Sequence, residues 1–309
     1  MSPIKLDCIP RGKIRDREMK YDYLLSNTES LINQMYWFQQ TISKPKAASH
    51  RGVAIKYVDI KDMRQSFIRE LKSTAMSWVY SKKKYAQLLQ EELPKRGGDI
   101  MNVQGYLYEV ADQKFRKGCP QGQFGELLLF NFIQHFFKAP PLLRKMPITT
   151  NPGLERHGAD AIHYREVQDK KIFILGESKC YVSKYQFNVA LKASIESIFT
   201  SFENIENELI LYQHDDFIDP ELQGVATDLK DGKLEGVRFE LVCLIAYEEN
   251  KNIVAPAESE IKSKIEACIN ERWSGVADDL YDGMAQPLIE RINYVVFPVW
   301  GLDALLREF

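Results

Sequence analysis

The chain has 309 residues, with 41 Lys or Arg against 43 Asp or Glu and a formal net charge of −2. That balance is not the charge of a protein that coats nucleic acid, and 45% hydrophobic residues suffice for a sizeable core. No apolar run approaches the ~18–20 residues of a membrane span, and Met1-Ser2-Pro3-Ile4-Lys5-Leu6-Asp7 lacks a signal-peptide pattern, so a cytoplasmic protein with no membrane partner is expected. Cys8, Cys119, Cys180, Cys243 and Cys268 are odd in number and scattered without C-x-x-C, which predicts reduced thiols rather than disulfides or a zinc ribbon.

From the N-terminus, Ser30 to Ile42 is rich in Tyr, Trp, Phe and Gln and reads as a helix docking on the main body. Residues 44–84 carry eleven Lys or Arg against Asp59, Asp62 and Glu70. A strand at Val53–Ile60 leads there into a helix from Asp62 to about Tyr80, whose Arg69 and Lys72, with the following Lys82, Lys83 and Lys84, form a candidate phosphate-contacting face. A merely solvated helix face is an equal alternative. Pro94-Lys95-Arg96-Gly97-Gly98-Asp99 is a break, and it divides a mostly helical, basic extension (1–95) from the main domain (96–309).

Asn102–Phe115 reads as helical and is followed by a second break at Gly118–Gly122. Gly122 to Phe137 is then apolar over most of a helical circumference, so the helix should be buried. Glu126 in its first turns is costly among such neighbours unless it is paired or binds a metal. Favourable placement at a helix N-terminus is its plain alternative. Pro140-Pro141 ends the helix and Pro147–Gly153 is loop.

Ala161–Glu166 and Lys171–Gly176 are β-prone runs separated by Val167-Gln168-Asp169-Lys170. With Gln168-Asp169 as a two-residue turn, Asp160 lies opposite Glu177; with Asp169-Lys170 it lies opposite Lys179, and an odd loop would break either pairing. In both even cases alternation puts Asp160, Glu177 and Lys179 on one face, while Ser178 turns away and offers its carbonyl. Acid-x-Lys is common, recurring for example at Asp59/Lys61 and Asp231/Lys233. Glu177-Ser178-Lys179 differs because it ends the apolar run Ile172-Phe173-Ile174-Leu175.

Two neighbouring carboxylates repel, and one would have its pKa raised unless a cation intervened. Oxygen donors from Asp160, Glu177, Glu126 and Ser178 suit Mg²⁺ or Mn²⁺, and Lys179 suits charge stabilisation at phosphorus oxygens. The expected chemistry is metal-dependent phosphodiester hydrolysis. A serine or cysteine hydrolase is not supported, because there is no G-x-S-x-G and neither His157 nor His163 has an evident nucleophile.

Tyr185–Tyr212 reads as one long helix with its apolar stripe on Phe187, Ala190, Leu191, Ser194, Ile195, Ile198, Phe199 and Phe202, and Gln186 at its start could orient a water. Glu203–Leu222 holds seven acids and no Lys or Arg, an ordinary solvated tract or a face for a basic partner. Gln223–Gly236 reads as a polar loop, Val237–Tyr247 as a central strand, and Pro256–Trp273 as an amphipathic helix. Tyr294–Val299 reads as a closing strand, with Pro298 arguing for an edge. The order gives an α/β fold with a mixed central sheet flanked by helices.

The helix bearing Phe124-Gly125-Glu126-Leu127-Leu128, then His157-Gly158-Ala159-Asp160, then Leu175-Gly176-Glu177-Ser178-Lys179, resembles the PD-(D/E)XK nuclease superfamily, and more closely the HamA family of Hachiman anti-phage defence. The resemblance implies a restriction-endonuclease-like core in which Asp160, Glu177 and Lys179 take the three catalytic positions and Glu126 the helical acid. One departure is that no Pro precedes Asp160. The resemblance also implies a DNA-cutting effector that acts with a HamB-like superfamily 2 helicase, which would supply the DNA binding that a net charge of −2 does not favour. A noncatalytic adaptor of such a helicase on a nuclease-like scaffold is the alternative.

Overall fold

The computed structural model describes residues 20–42, 49–115, 121–144, 158–168, 170–182, 187–212 and 218–309. His157, Tyr185, Gln186, Cys8, Cys119 and the 147–153 segment lie outside them. A seven-stranded mixed sheet organises the chain, in the order β1-β2-β9-β8-β7-β6-β5.

The N-terminal segment contributes strands to the sheet where a docking helix is expected. Only Glu29–Ile32 (α1) is helical within the Ser30–Ile42 stretch; Met35–Gln40 is an edge strand (β1) antiparallel to His50–Ile55 (β2). Aromatic residues favour a pleated surface, and Tyr36 and Phe38 turn into the core while Trp37 and Gln39 stay exposed. Tyr57–Val58 (β3) and Lys61–Asp62 (β4) form a small ribbon. The helix expected over Asp62–Tyr80 is two, Arg64–Ser73 (α2) and Ala75–Val79 (α3), broken where Thr74 turns its hydroxyl onto the Leu71 carbonyl. Lys82–Glu92 (α4) is capped by Ser81 Oγ and Ile100–Asp112 (α5) by the Asp99 carboxylate, with Gly97 and Gly98 at positive φ between them.

Gln121–Phe137 (α6) is the buried helix expected, with Phe124, Leu127, Leu128 and Leu129 fully covered, each worth about 1.5–3 kcal/mol. Pro141–Leu143 (β5) pairs with Ala161–Val167 (β6), and β6 forms a hairpin with Lys170–Tyr181 (β7). Val167 pairs with Lys170, so the turn is the two-residue one, with Gln168 at φ 51°. The long helix expected next is also two, Phe187–Glu203 (α7) and Ile205–Tyr212 (α8). Part of the loop expected at Gln223–Gly236 is a helix, Gln223–Lys230 (α9), which buries Ala226.

Val237–Glu248 (β8) is the central strand, parallel to β7 and to Ile292–Val299 (β9). β9 is therefore not an edge: it lies between β8 and β2. Pro298 is tolerated because β2 pairs β9 only as far as Val296, while the next carbonyl, Val299, turns to β8. Glu258–Ser274 (α10), Gln286–Ile289 (α11) and Leu302–Glu308 (α12) complete the chain.

Alternation divides the core in two. Phe67, Phe124, Leu128, Ile174, Leu244 and Leu305 pack on one face, under α2, α3, α6 and α12; Leu175, Leu191, Ile195, Cys243 and Ile265 pack on the other, under α7 and α10. Tyr164, Tyr247 and Tyr294 are fully buried in the second cluster. No helix among the described residues is long and apolar enough to cross a membrane.

Candidate active site

The site grows from a mismatch in strand length. β6 stops pairing at Ala161 opposite Gly176, whereas β7 continues to Tyr181 with β8 on its other side. Glu177, Ser178 and Lys179 therefore occupy a strand whose β6-facing edge is unpaired by β6. Continuing the register by one places Asp160 opposite Glu177. Asp160 Oδ2 accepts the Ser178 N–H at 2.7 Å and the Ser178 hydroxyl at 2.9 Å. A strand residue points its N–H and C=O the same way, so the Ser178 carbonyl shares the open edge with Asp160.

Glu177 and Lys179 face α7. Glu177 is 3% exposed; its Oε1 accepts from Ser201 Oγ at 2.7 Å and its Oε2 from Ser197 Oγ at 2.9 Å. Lys179 Nζ lies 3.6 Å from Glu177 Oε2 and donates to Ser197 Oγ at 3.2 Å. Ser197 and Ser201 are four residues apart, one helical turn on the same face. Burial, and then the charge of Asp160, push the Glu177 carboxyl up to about 7, against the pull of both serines and Lys179. Glu177 and Lys179 open into a cavity of about 710 Å³ whose other walls include Gly158, Tyr181, Asn204 and Glu208.

Glu126 approaches from the other layer. It is half-buried, and as the sixth residue of α6 it lies past the first turn, which weakens the helix-dipole explanation of its position. Its neighbour Gly125 abuts Ser178: a Cβ there would sit 3.0 Å from Ser178 Oγ. Glu126 thus belongs to the Ser178 side of β7, and Glu177 and Lys179 to the opposite side. Asp160, bonded to Ser178 and electrostatically coupled to Glu177, stands at the strand edge between them.

Other residues singled out from sequence are placed elsewhere. Arg69 pairs with Glu70, Lys72 reaches the Glu308 carbonyl and Lys82 the Tyr23 carbonyl. Arg69 and Lys72 lie on α2, in the layer opposite Glu177, and Lys82, Lys83 and Lys84 open α4, just past α3 of that same layer. His163 faces Phe130 of α6, bonds the Ala139 carbonyl, and is held down to about 3 by burial, a structural histidine. The acidic tract is not uniformly solvated: Glu208 is buried against the Ala159 N–H, and Asp219 is buried in an ion pair with Arg144. Ser197, Ser201 and Glu208 were not legible as site residues, because only tertiary contact brings α7 and α8 to β7. The sole signal was a serine pair beside an apolar stripe.

Among the described residues no group of three or more His, Cys, Asp or Glu is arranged to hold an ion. The donors present still fit a hard cation. Mg²⁺ is bound through one or two carboxylates while keeping several waters. Asp160, Glu177 and the Ser178 carbonyl are oxygen donors, and the Glu177 carboxyl is raised first by burial and then by the negative charge of Asp160.

The fold and this cluster define an α/β protein in which an antiparallel hairpin carries an acid, a second acid and a lysine to the end of a mixed sheet. Residues 32–309 match the HamA family model, and the chain belongs to the HamA family. It is accordingly a Hachiman anti-phage defence component. No curated protein matches the chain significantly.

Proposed function

We propose that this chain is a metal-dependent nuclease that hydrolyses DNA phosphodiester bonds as the effector of a defence complex with a superfamily 2 helicase. The observation that carries this reading is the convergence of Asp160, Glu177 and Lys179, with Glu177 buried within reach of the Asp160 charge at a cost that a folding scaffold gains nothing from keeping.

Mg²⁺ or Mn²⁺, when bound, supplies a low-pKa water and neutralises charge developing on phosphorus oxygens. The chain's own groups do the rest. Ser178 fixes Asp160 through two hydrogen bonds, and Ser197 and Ser201 fix both oxygens of Glu177. Asp160, Glu177 and the Ser178 carbonyl would hold the ion, with Glu126 a further carboxylate on the Ser178 side. Lys179, tethered through Ser197 and partly exposed to the cavity, is placed to hydrogen-bond a phosphate oxygen and stabilise its charge.

The cavity walls carry Glu177, Glu196 and Glu208 against Lys179, so a polyanion gains little attraction there. Lys82, Lys83, Lys84, Lys72 and Arg69 are nucleic-acid contacts in this reading, but they belong to the other side of the sheet. Delivery of DNA to the cavity then falls to the helicase.

Calorimetric titration with Mn²⁺ tests the reading: wild type should bind, and Asp160→Asn and Glu177→Ala should lose most of the heat. Equal binding by all three would remove the proposed ion from this site.

A further inference from the structure

Glu208 lies in the stretch whose composition suggests a plain acidic surface, yet it is 6% exposed and lines the same cavity as Glu177 and Lys179. Its Oε2 accepts the Ala159 N–H at 3.0 Å. The carboxylate also lies flat against Gly158: a Cβ at that position would fall 2.6 Å from Glu208 Cδ, Oε1 and Oε2 alike. Gly158 is at φ +96°, where a side chain is strained even without that collision.

These contacts bracket Asp160. On one side the Gly158–Ala159 peptide is held by α8 through Glu208; on the other the Asp160 carboxylate is held by β7 through Ser178. The glycine of Gly158-Ala159-Asp160 then has a physical role. It lets a carboxylate from a different helix approach the backbone closely enough to seize the next N–H.

We infer that Glu208 is a positioning residue, which holds the Ala159 amide and thereby sets the Asp160 carboxylate at the open edge of β7. The clamp itself stands on geometry, whereas its effect on an ion rests on the nuclease reading. Metal ligands are oriented by such outer contacts, and losing one typically weakens binding or activity about 10–100-fold. The interaction needs an acceptor rather than a charge, so Glu208→Gln should preserve it and Glu208→Ala should not.

Hydrogen exchange of the peptide spanning 158–163 in the full-length chain, followed by calorimetric Mn²⁺ titration, tests this. Exchange at Ala159 should accelerate at least about tenfold in Glu208→Ala and stay near wild type in Glu208→Gln, with β8 protected in both; the apparent Mn²⁺ affinity should fall about 10–100-fold in the first variant and less than about threefold in the second. Gly158→Ala, which leaves Glu208 in place but pushes its carboxylate away, should copy Glu208→Ala in both readouts. Unchanged exchange in Glu208→Ala, or equal loss of Mn²⁺ affinity in the Gln and Ala variants, overturns the positioning role. A wild type that binds no Mn²⁺ while the exchange difference persists would leave the clamp intact and defeat the nuclease reading instead.

Discussion

Lys179 meets Glu177 twice, directly at 3.6 Å and through Ser197, whose hydroxyl accepts from Lys179 Nζ and donates to Glu177 Oε2. An ammonium on a flexible four-carbon stem is costly to hold in one place, and the serine holds it. On the proposed nuclease activity, Ser197→Ala should therefore lower turnover about 10–100-fold while leaving the melting temperature within a degree or two. Steady-state cleavage set beside a thermal scan separates the two effects. Unchanged turnover would show that Lys179 needs no tether.

The raised Glu177 carboxyl has a consequence for stability. Its folded pKa of about 7 exceeds the ordinary 4.5, so the folded state binds the extra proton between those values. Stability is then highest below about 4.5 and falls as pH rises through about 7, by about 3 kcal/mol from this group. Glu177→Gln removes the ionisation, and its gain in melting temperature over wild type should be larger at pH ~8 than at pH ~5. An equal gain at both would mean that the carboxyl titrates normally.

The Arg144–Asp219 pair is buried on both sides, at 2.8 Å, with Arg144 Nε also on the Ser77 carbonyl. Asp219→Ala would strand a buried guanidinium and should cost about 3–5 kcal/mol in denaturant unfolding, whereas replacing both partners with apolar residues should cost far less. Similar losses in the two cases would contradict this account of the pair.

Gly125 lets α6 press against the strand that carries the site. Gly125→Ala puts a methyl 3.0 Å from Ser178 Oγ and 3.1 Å from Ser178 Cβ, and should destabilise by about 1–3 kcal/mol while disturbing the Ser178–Asp160 contact. Unfolding measured together with Mn²⁺ affinity should show both losses. A variant as stable as wild type would mean that the helix yields freely.

Much of this was legible in the sequence where a local rule sufficed. The register of the β6–β7 hairpin follows from parity once the turn has two residues, and the continuous apolar run of β8 marked the sheet centre. Elsewhere the expectation does not hold. Tyr36 and Phe38 lie in an edge strand and not a helix, a placement that their aromatic side chains suit, and Pro298 suggests an edge but sits where β2 has already stopped pairing. Glu208 and Asp219 were hidden among acids because composition cannot tell a buried, partnered carboxylate from a solvated one. The joint between α7 and α8 gave no Gly or Pro to announce it.

The most direct test of the central claim is cleavage of supercoiled plasmid with Mg²⁺ by wild type, Glu177→Ala and Lys179→Ala, each alone and with the helicase partner and ATP. Nicking or degradation by wild type, abolished by both substitutions in whichever condition supports it, is the predicted result. No cleavage in either condition, or equal cleavage by the substituted proteins, would contradict it and leave a noncatalytic adaptor as the account of the chain.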